Sequence, residues 1–388
     1  MIALVAGAIA NKPRNGGEAW VRLSWVLGLG RLGFDVYFVE RLSGGACVDA
    51  AGHQCAYADS ENRRHFEEVV AAFGLAERAA LLDEDGERLA GLEPEAIAAA
   101  AAAADAVFNI SGHLPPGSIL AAPRRRVYVD LDPSFTQIWH DDPSLAFSVG
   151  GHDDHVTVGL NVGGADSPLP SGGLDWIPTL PPVVLSAWPT APPPTAPLRF
   201  TTVSTWRSPY GALSIDGRIA GLKHHEFRRL RGLPAEVEGA AFELALDIHP
   251  GDAADLDALR AAGWSVVPPR EVAASPAAFA TYVRGSGAEC SVAQGVYVES
   301  RCGWFSDRTA AYLASGRPAL VQETGIAARL PLGEGLLTFS TPAEAAAGAR
   351  RILADPAAHA EAARALAVER LDSDRVLGQL LGRLGIGG

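Results

Sequence analysis

The stretch ESRCGWFSDRTAAYLASGRPALVQET, residues 299 to 324, decides the fold that we expect for this chain. Gly303 predicts a turn, and Ser306 and Asp307 form a good N-cap pair for a helix that should run to about Ser315. A glycine turn that opens onto a helix N-terminus presents unpaired backbone N–H groups and the positive end of the helix dipole. Such an N-terminus suits a diphosphate.

A strand should follow this helix, and another should precede it. Gly316 supplies a left-handed stop, Pro318 prevents the helix from continuing, and Ala319 to Val321 reads as a short buried strand. Gly295 to Val298 is expected to be the preceding strand. The alternative is an ordinary buried unit of strand and helix whose glycines only make turns.

The segments CGWFS (302 to 306), ASGRP (314 to 318) and QE (322 to 323) resemble the nucleotide-sugar-binding region of GT-B glycosyltransferases. Two branches are similar: the sugar-donor box of the family 1 enzymes and the spore-maturation-type glycosyltransferase-like proteins. The resemblance is sharp here and diffuse elsewhere. It implies an α/β, GT-B-like fold of two doubly wound, Rossmann-like domains that face each other across a cleft, with C-terminal helices crossing back to the N-terminal domain.

Two departures limit what the resemblance implies. Arg301 stands where the donor box usually carries a histidine, and Ala311 stands where retaining relatives carry the second of two glutamates. Glu299 and Asp307 reproduce the spacing of those glutamates but come too early in the sequence. The stereochemical outcome of transfer, inverting or retaining, therefore stays open.

Composition and net charge restrict the number of domains and the classes of binding partner that we expect. The chain has 388 residues, 48% hydrophobic and 20% charged, so it can bury a large core and should form two domains. The net charge of -13 argues against nucleic acid or an anionic membrane as a partner, because neither phosphate surface would be neutralised. No apolar run reaches the ~20 residues that span a bilayer.

The cysteines and the N-terminus suggest a location. The four cysteines lack metal-ligand spacing and suit a reducing compartment, although Cys47 and Cys55 could pair. Residues 1 to 5, MIALV, lack a basic region before the apolar run and read as a first strand rather than a signal peptide. We therefore expect a cytoplasmic protein, either a monomer or a homodimer.

The N-terminal part contains a predicted βαβ unit. Ile2 to Gly7 is an apolar run typical of a strand buried on both faces, Glu18 to Leu32 has apolar residues at helical spacing, and Val36 to Val39 is the next strand. Ligands of such sheets bind at the carboxyl ends of the strands, where Gly16 and Gly17 should lie. The resemblance implies that this glycine loop lies under the donor phosphates.

Two further strands, Ala106 to Ile110 and Arg126 to Leu131, should end at the same cleft. His113 follows the first strand and is our preferred candidate for the catalytic base or a group that positions the acceptor, since a neutral imidazole can take a proton near pH 7. A histidine that only hydrogen-bonds at a strand end is equally open. Asp130 and Asp132 form a DxD pair, which holds a metal in the other glycosyltransferase fold. Here we interpret one of them as a base or a sugar contact, and we expect no metal.

Proline density marks the domain boundary. The segment 176 to 197, WIPTLPPVVLSAWPTAPPPTAP, cannot form a helix or a central strand and reads as a semi-rigid linker. We predict an N-terminal acceptor-side domain at 1–190, a linker at 191–197, a C-terminal donor domain at 198–350, and helices at 351–388 that pack back on the N-terminal domain. Residues 60 to 105 are expected to be helical.

The donor side begins with a strand at Leu198 to Thr205 and a helix at Leu222 to Leu230. By the resemblance, cations near these elements clamp the diphosphate, and fixed cations would stabilise the charge that a leaving nucleoside diphosphate gains. For any single cation, an ordinary surface charge is the alternative. The predicted diphosphate site comprises Gly16, Gly17, Arg207, Lys223, Arg301, Gly303, Ser306 and Asp307, and the predicted sugar contact is Glu323.

These interpretations predict a glycosyltransferase of the hexosyltransferase type that needs no metal. It would use a nucleoside-diphosphate sugar as a co-substrate, with UDP or dTDP as the expected nucleotide, and hold no tightly bound cofactor. It would transfer the sugar to an acceptor hydroxyl or another nucleophile. Two alternatives stay open: a nucleotide-sugar epimerase of the same fold, and a non-catalytic protein that binds nucleotide sugars.

Overall fold

The first of two β-sheets is built from the N-terminal part of the chain. The computed structural model describes residues 1–145, 147, 149–165, 167–190, 197–215 and 217–387. The strands of the first sheet are β1 (Ile2–Ala6), β2 (Asp35–Arg41), β3 (Ala79–Leu82), β4 (Arg88–Gly91), β5 (Ala106–Ile110), β6 (Arg126–Asp130), β7 (Asp154–Thr157) and β8 (Trp176–Pro178). Their order is β4-β3-β2-β1-β5-β6-β7-β8. The β3–β4 pair is antiparallel, and the other neighbours are parallel.

The second sheet is fully parallel and lies in the C-terminal part of the chain. Residues 198 to 339 form β9 (Leu198–Thr205), β10 (Ser214–Ile215), β11 (Arg218–Ile219), β12 (Ala240–Asp247), β13 (Ser265–Val267), β14 (Ala288–Ser291), β15 (Ala319–Gln322) and β16 (Leu336–Phe339). The sheet order is β13-β12-β9-β14-β15-β16, while β10 and β11 form a small separate hairpin.

Helices alternate with the strands in both halves, as expected for doubly wound sheets. They are α1 (Gly16–Arg31), α2 (Glu61–Ala72), α3 (Pro94–Ala103), α4 (Ser118–Ala121), α5 (Phe135–Asp141), α6 (Lys223–Arg229), α7 (Leu233–Glu236), α8 (Ala253–Ala261), α9 (Pro269–Val272), α10 (Pro276–Arg284), α11 (Gly295–Ser300), α12 (Asp307–Ala314), α13 (Pro342–Ala354), α14 (Pro356–Leu366) and α15 (Ser373–Leu384). No helix in the described ranges is long and apolar enough to cross a membrane.

The quoted stretch folds largely as predicted. Ser306 caps α12, because its Oγ accepts the backbone N–H of Arg308 at 3.2 Å. Gly316 adopts a φ of 69°, in the left-handed region where glycine is favoured, and β15 follows. The helix and the strand of this unit are therefore confirmed.

Two predictions of secondary structure were wrong. The expected strand at Gly295 to Val298 is part of α11, and the strand that precedes it is β14. A short apolar run does not by its periodicity distinguish a strand from a buried helix. The region from 60 to 105, predicted to be helical, also contains β3 and β4. The sequence of β3 is Ala-Ala-Leu-Leu, which lacks the β-branched residues that signal a strand.

Each sheet has one point where the strand order reverses direction. In the first sheet this point lies between β1 and β5, and in the second it lies between β9 and β14. Ligands of open parallel sheets bind outside the carboxyl ends of the strands at such switch points. The loops after β1, β5, β9 and β14 are therefore the places to look for a site.

The C-terminal helices contact the first half of the molecule. Arg31 at the end of α1 donates two hydrogen bonds to the carboxylate of Asp374 on α15, at 2.7 and 2.6 Å. The backbone N–H of Ser373 also donates to the Val183 carbonyl at 2.9 Å. The chain thus returns to its N-terminal part. The predicted domain boundaries stay predictions, and residues 191 to 196 of the predicted linker lie outside the described residues.

Gly16→Ala should destabilise the contact between α1 and the second half. A Cβ at Gly16 would lie 2.0 Å from the Ser275 carbonyl oxygen, so the backbone must move. We expect a loss of ~1–3 kcal/mol in the free energy of unfolding, measured by urea denaturation.

Gly30→Ala in the same helix is the matched control. No atom lies within 4 Å of a Cβ built there, so this change should raise the stability by up to ~1 kcal/mol. Equal effects of the two substitutions would contradict the close contact at Gly16.

Candidate active site

A buried carboxylate fixes the loop after β1. Glu40, near the end of β2, is 1% exposed and accepts the backbone N–H groups of Ile9, Ala10 and Asn11 at 2.7 to 2.8 Å. Burial raises the pKa of Glu40 to about 7, although these three hydrogen bonds oppose that rise. The loop is therefore held in one path, and α1 begins where it ends.

The first two turns of α1 carry an ion pair. Asn15 caps the helix by accepting the Glu18 N–H at 3.1 Å, and Glu18 pairs with Arg22 one turn later. Arg22 is 2% exposed, whereas the Glu18 side chain is 39% exposed. Burial would raise the pKa of Glu18, but the positive charges of Arg22 and Lys12 outweigh it and lower the pKa. Glu18 therefore stays ionised at neutral pH.

Asp130 is fully buried and fully hydrogen-bonded. Its carboxylate accepts the hydroxyls of Thr136 at 2.6 Å and Thr157 at 2.7 Å, the side-chain amide of Gln137 at 3.0 Å, and the Asp132 N–H at 2.9 Å. Burial raises its pKa above the usual value. These contacts tie β6, α5 and β7 together and hold the loop that carries Asp132.

Asp132 and His113 are both half-buried, and their pKa values are shifted in opposite directions. The Tyr297 hydroxyl on α11 donates to Asp132 Oδ1 at 2.9 Å, which joins the two halves of the molecule. Burial, together with the negative charge of Asp130, raises the pKa of Asp132 to about 6. Burial and two nearby cations lower the pKa of His113 to about 4. Near pH 7 the imidazole is therefore neutral, and Asp132 titrates just below neutrality.

Lys223 is the first residue of α6 and lies at the switch point of the second sheet. Its Nζ donates to the hydroxyl of Thr205, the last residue of β9, at 3.0 Å. Burial and the positive charge of Arg308 lower the pKa of Lys223 to about 8, while the negative charges of Asp132 and Glu18 oppose that change. Lys223 is thus electrostatically coupled to the first half of the molecule.

Asp307 places a carboxylate at the N-terminus of α12. It is half-buried, and burial together with the negative charge of Glu18 raises its pKa to about 6. Asp132 contributes to the same rise. The helix N-terminus predicted to hold a diphosphate therefore carries its own acidic group, so any phosphate there would have to meet the backbone rather than this side chain.

Five half-buried charged or titratable side chains from both halves meet in one cleft. We call them the cleft cluster: Glu18, His113, Asp132, Lys223 and Asp307. The charge of Glu18 affects the pKa values of the other four, so all five lie within electrostatic range of one another. Titratable groups with shifted pKa values at the switch points of two sheets define a candidate active site.

Arg207 and Arg301, which were predicted to bind the diphosphate, are not members of the cleft cluster. The Arg207 guanidinium makes two hydrogen bonds to the carboxylate of Asp252, at 2.8 and 2.6 Å, and its side chain is 53% exposed. Arg301 is exposed and ends α11 with a φ of 49°. The structure therefore holds Arg207 on a neighbouring carboxylate and places Arg301 at the end of a helix.

The predicted phosphate-binding glycines form contacts between the two halves. The Gly16 N–H donates to the Ala273 carbonyl at 2.8 Å, and a Cβ at Gly17 would lie 3.2 Å from the Phe279 ring. The Gly303 carbonyl accepts the Leu160 N–H from the first half at 3.2 Å, and the Gly303 N–H donates to the Thr324 carbonyl within the second half at 2.7 Å. The N–H groups of Gly16 and Gly303 are therefore already used within the chain.

Glu323 lies at the end of β15, as the sequence predicts for a sugar contact. Its Oε1 accepts the Gly325 N–H at 2.5 Å and the Ala327 N–H at 3.3 Å. Within the described part of the chain, Oε2 is buried and has no hydrogen-bond partner. One carboxylate oxygen thus fixes the side chain, and the other has unused hydrogen-bonding capacity within the described residues.

Sequence reasoning missed Glu18, Tyr297 and Arg308. Glu18 lies in the first turn of a helix, where an acidic residue is expected simply to complement the helix dipole. Tyr297 lies in the segment predicted as a strand, so its direction could not be assigned. Arg308 follows the predicted phosphate turn directly, but nothing in the sequence distinguishes it from a surface arginine.

The described residues contain no group of three or more His, Cys, Asp or Glu side chains arranged to hold a metal ion. The cleft cluster itself combines a lysine and a neutral histidine with three carboxyl groups. Metal independence stays a prediction that activity measurements have to test.

The topology and the cleft define the GT-B class of fold, which is also the fold of the solved structures that this chain resembles. The Anabaena protein HepE in complex with UDP and glucose matches with a TM-score of 0.56 at 13% identity, over 99% of this chain and 100% of that one. AviGT4, a glycosyltransferase of avilamycin A biosynthesis, matches with a TM-score of 0.56 at 14% identity, over 99% and 97%. The predicted fold class is confirmed.

A third solved structure also has a similar fold. An alpha-glucosyltransferase in complex with UDP and a 13-mer DNA has a TM-score of 0.56 at 8% identity, over 99% of both chains. No protein-family model and no curated protein sequence matches this chain. At these identities the similarity to the solved structures shows the fold alone.

The Asp132→Asn variant should show a stability gain that depends on pH. Asp132 titrates at about 6 in the folded chain and at ~3.9 in an unfolded chain. The folded state thus holds this proton more tightly, and the stability that Asp132 contributes at low pH is lost as pH rises through about 6. An asparagine cannot ionise, so the variant should gain stability over the wild type between about pH 4 and 6.5, measured by urea unfolding.

Asp130→Asn is the control of equal size. Its new amide would face groups that already donate hydrogen bonds, so stability at pH 7 should fall by ~1–3 kcal/mol. A pH-independent effect at Asp132 would contradict its shifted pKa.

Proposed function

We propose that this chain is a glycosyltransferase that moves a sugar from a nucleoside-diphosphate sugar to an acceptor. The observation that carries the proposal is the cleft cluster, which combines a donor-side cation, Lys223, with the proton-accepting groups Asp132 and His113 at facing switch points. The ligands of HepE, UDP with glucose and UDP-glucose, support a uridine nucleotide sugar as the donor.

In the proposed reaction, one bond breaks and one forms at the anomeric carbon of the sugar. The bond to the diphosphate oxygen breaks, and its electron pair stays on the leaving nucleoside diphosphate. Lys223 stabilises the added negative charge. The acceptor oxygen forms the new bond, and its proton passes to a base in the cleft. Exclusion of water from the cleft would favour the acceptor over hydrolysis.

Among the predicted bases, the surroundings favour Asp132. A base is most effective when its pKa lies near the working pH, and the pKa of Asp132 is about 6. His113, with a pKa of about 4, is a weaker base but can hydrogen-bond to the acceptor as a neutral imidazole. Asp130 has its hydrogen-bonding capacity taken up by four protein donors, so we assign it to positioning.

On the donor side, we assign the diphosphate to Lys223 and the backbone at the start of α12, beside Ser306. Glu323, whose second carboxylate oxygen has no partner within the described ranges, is proposed to accept hydrogen bonds from sugar hydroxyls. The proposed diphosphate site does not include five residues for which the sequence predicted phosphate contacts: Gly16, Gly17, Arg207, Arg301 and Gly303.

The acceptor is proposed to be something other than nucleic acid. One structural neighbour was solved with DNA, but a net charge of -13 would repel a phosphate backbone. The epimerase and the non-catalytic binding protein stay the rival functions. Analysis of products from UDP-glucose distinguishes them, because an epimerase changes the sugar without an acceptor and a binding protein changes nothing. The cytoplasmic location and the oligomeric state stay predictions.

Binding of a nucleoside diphosphate should weaken at alkaline pH through Lys223. The lysine is protonated below its pKa of about 8, so it supplies a charge at pH 7 that is mostly lost at pH 9. We expect the affinity for UDP to fall by roughly tenfold over this range, measured by isothermal titration calorimetry.

Lys223→Arg is the control, because its charge does not titrate in this range and its pH profile should be flat. Failure of the wild type to bind UDP, dTDP and other nucleoside diphosphates at millimolar concentration would refute the proposed function.

Asp132→Asn should lower kcat by roughly 10²–10⁴-fold while leaving UDP affinity close to that of the wild type, because the variant loses a base and keeps its shape. His113→Ala should have a smaller effect. Activity should be unchanged by EDTA if no metal takes part. Wild-type kcat in Asp132→Asn would remove Asp132 from the mechanism.

A further inference from the structure

The guanidinium of Arg308 lies where the second sheet opens. The ladder between β9 and β14 ends at the pair Thr201 and Glu289. Beyond that pair, Arg308 Nη1 donates to the Val203 carbonyl at 3.0 Å, and Nε donates to Glu289 Oε1 at 2.7 Å. One arginine thus bridges the two strands just past their last pairing, at the switch point where ligands of such sheets bind.

This ion pair is buried and incompletely satisfied. The side chain of Glu289 is 0% exposed and that of Arg308 is 16% exposed. Among the described residues, neither Arg308 Nη2 nor Glu289 Oε2 has a hydrogen-bond partner. Buried polar groups are nearly always paired, and an exception in a native structure calls for an explanation such as a functional role. The unused Nη2 donor suits an anion.

Lys223 is anchored to the same strand. Val203, which binds Arg308, and Thr205, which binds Lys223, are two residues apart on β9, a rise of ~6.6 Å. The positive charge of Arg308 is the strongest charge effect that lowers the pKa of Lys223. Two neighbouring cations repel each other, and an anion bound between them would offset that repulsion.

We propose that Arg308, held in place by Glu289, binds the diphosphate of the donor together with Lys223, in the role that the sequence assigns to Arg207. This inference rests on the proposed function and identifies its second cation. Arg207 is exposed and engaged with Asp252, whereas Arg308 is fixed at the switch point and keeps a free donor within the described structure.

The two cations would act differently during transfer. When the bond between the anomeric carbon and the diphosphate oxygen breaks, the diphosphate keeps the electron pair and gains negative charge. The Arg308 guanidinium cannot lose its proton, and its preset position avoids reorganisation as that charge develops. Glu289 acts as a positioning residue, because it contacts Arg308 and not the substrate.

The test compares ligands with and without the diphosphate. In the double variant Arg308→Gln and Glu289→Gln, the cation is removed but the buried pair stays neutral and able to hydrogen-bond. We expect UDP affinity to fall roughly ten- to hundredfold while uridine affinity stays at the wild-type value, measured by calorimetric and NMR titration. The same comparison uses dTDP and thymidine if dTDP is the nucleotide bound by the wild type.

Two single variants serve as comparisons. Arg228→Gln removes another arginine paired with an aspartate, on the same helix as Lys223, and should leave UDP affinity unchanged. Glu289→Gln alone keeps the cation but loosens it, and should give a smaller, UDP-selective loss. If the role of Glu289 were purely structural, Glu289→Gln would instead weaken the binding of uridine and of UDP equally.

Each result decides between the inference and the proposed function. Wild-type UDP affinity in the double variant, an equal loss for uridine and UDP, or a UDP-selective loss in Arg207→Gln but not in the double variant would each overturn the role of Arg308. In these cases the proposed function stands if the wild type binds UDP. A wild type that binds no nucleoside diphosphate refutes the function itself.

Discussion

Hydrogen bonds to buried carboxylates on parallel strands are the interaction on which the cleft depends. Glu40 on β2, Asp130 on β6 and Glu289 on β14 are 1%, 0% and 0% exposed. Each accepts hydrogen bonds from groups that lie outside its own strand: the loop after β1, the elements α5 and β7, or the guanidinium of Arg308. Leaving a buried carboxylate without its donors is costly, so these contacts stabilise the positions of the loops. The loops that line the cleft are thus held in place by hydrogen bonds to buried carboxylates.

The charged side chains of the cleft cluster have fewer stabilising partners than these buried carboxylates. Burial shifts Asp132, Asp307 and Lys223 towards their neutral forms, with pKa values of about 6, 6 and 8. A folded chain gains nothing in stability from half-buried charges that lack full partners, and natural proteins accept such conflicts mainly at functional sites. A ligand that brings both anionic phosphates and hydroxyl groups would complement the cations and the carboxylates together. The nucleoside-diphosphate sugar that we propose as the donor has both kinds of group.

The fold class was implied by the resemblance, whereas the unit of α12 and β15 was predicted from the residues themselves because its signals are local. The cap at Ser306, the glycine stop at Gly316 and the buried strand that follows are set by neighbouring residues, and the structure reproduces them. His113 and Asp132 were found because they follow strands, whereas Lys223 and Arg207 were predicted from the resemblance. The surroundings of Arg207 depend on Asp252, which is 45 residues further along the chain. Glu18 and Arg308 reach the cleft from helices, where the sequence cannot show which face meets the other half.

Arginine and lysine have separable roles in this arrangement. Arg308 is held by a strand carbonyl and a buried carboxylate, so its position is fixed and its charge is permanent. Lys223 has one hydroxyl partner and a pKa lowered by burial and by that arginine, so its charge responds to pH and to the charge of any ligand. A bound diphosphate would raise the pKa of Lys223 and thereby restore the charge that binds it. The fixed cation would then set the geometry of donor binding, and the titratable cation would couple binding to protonation.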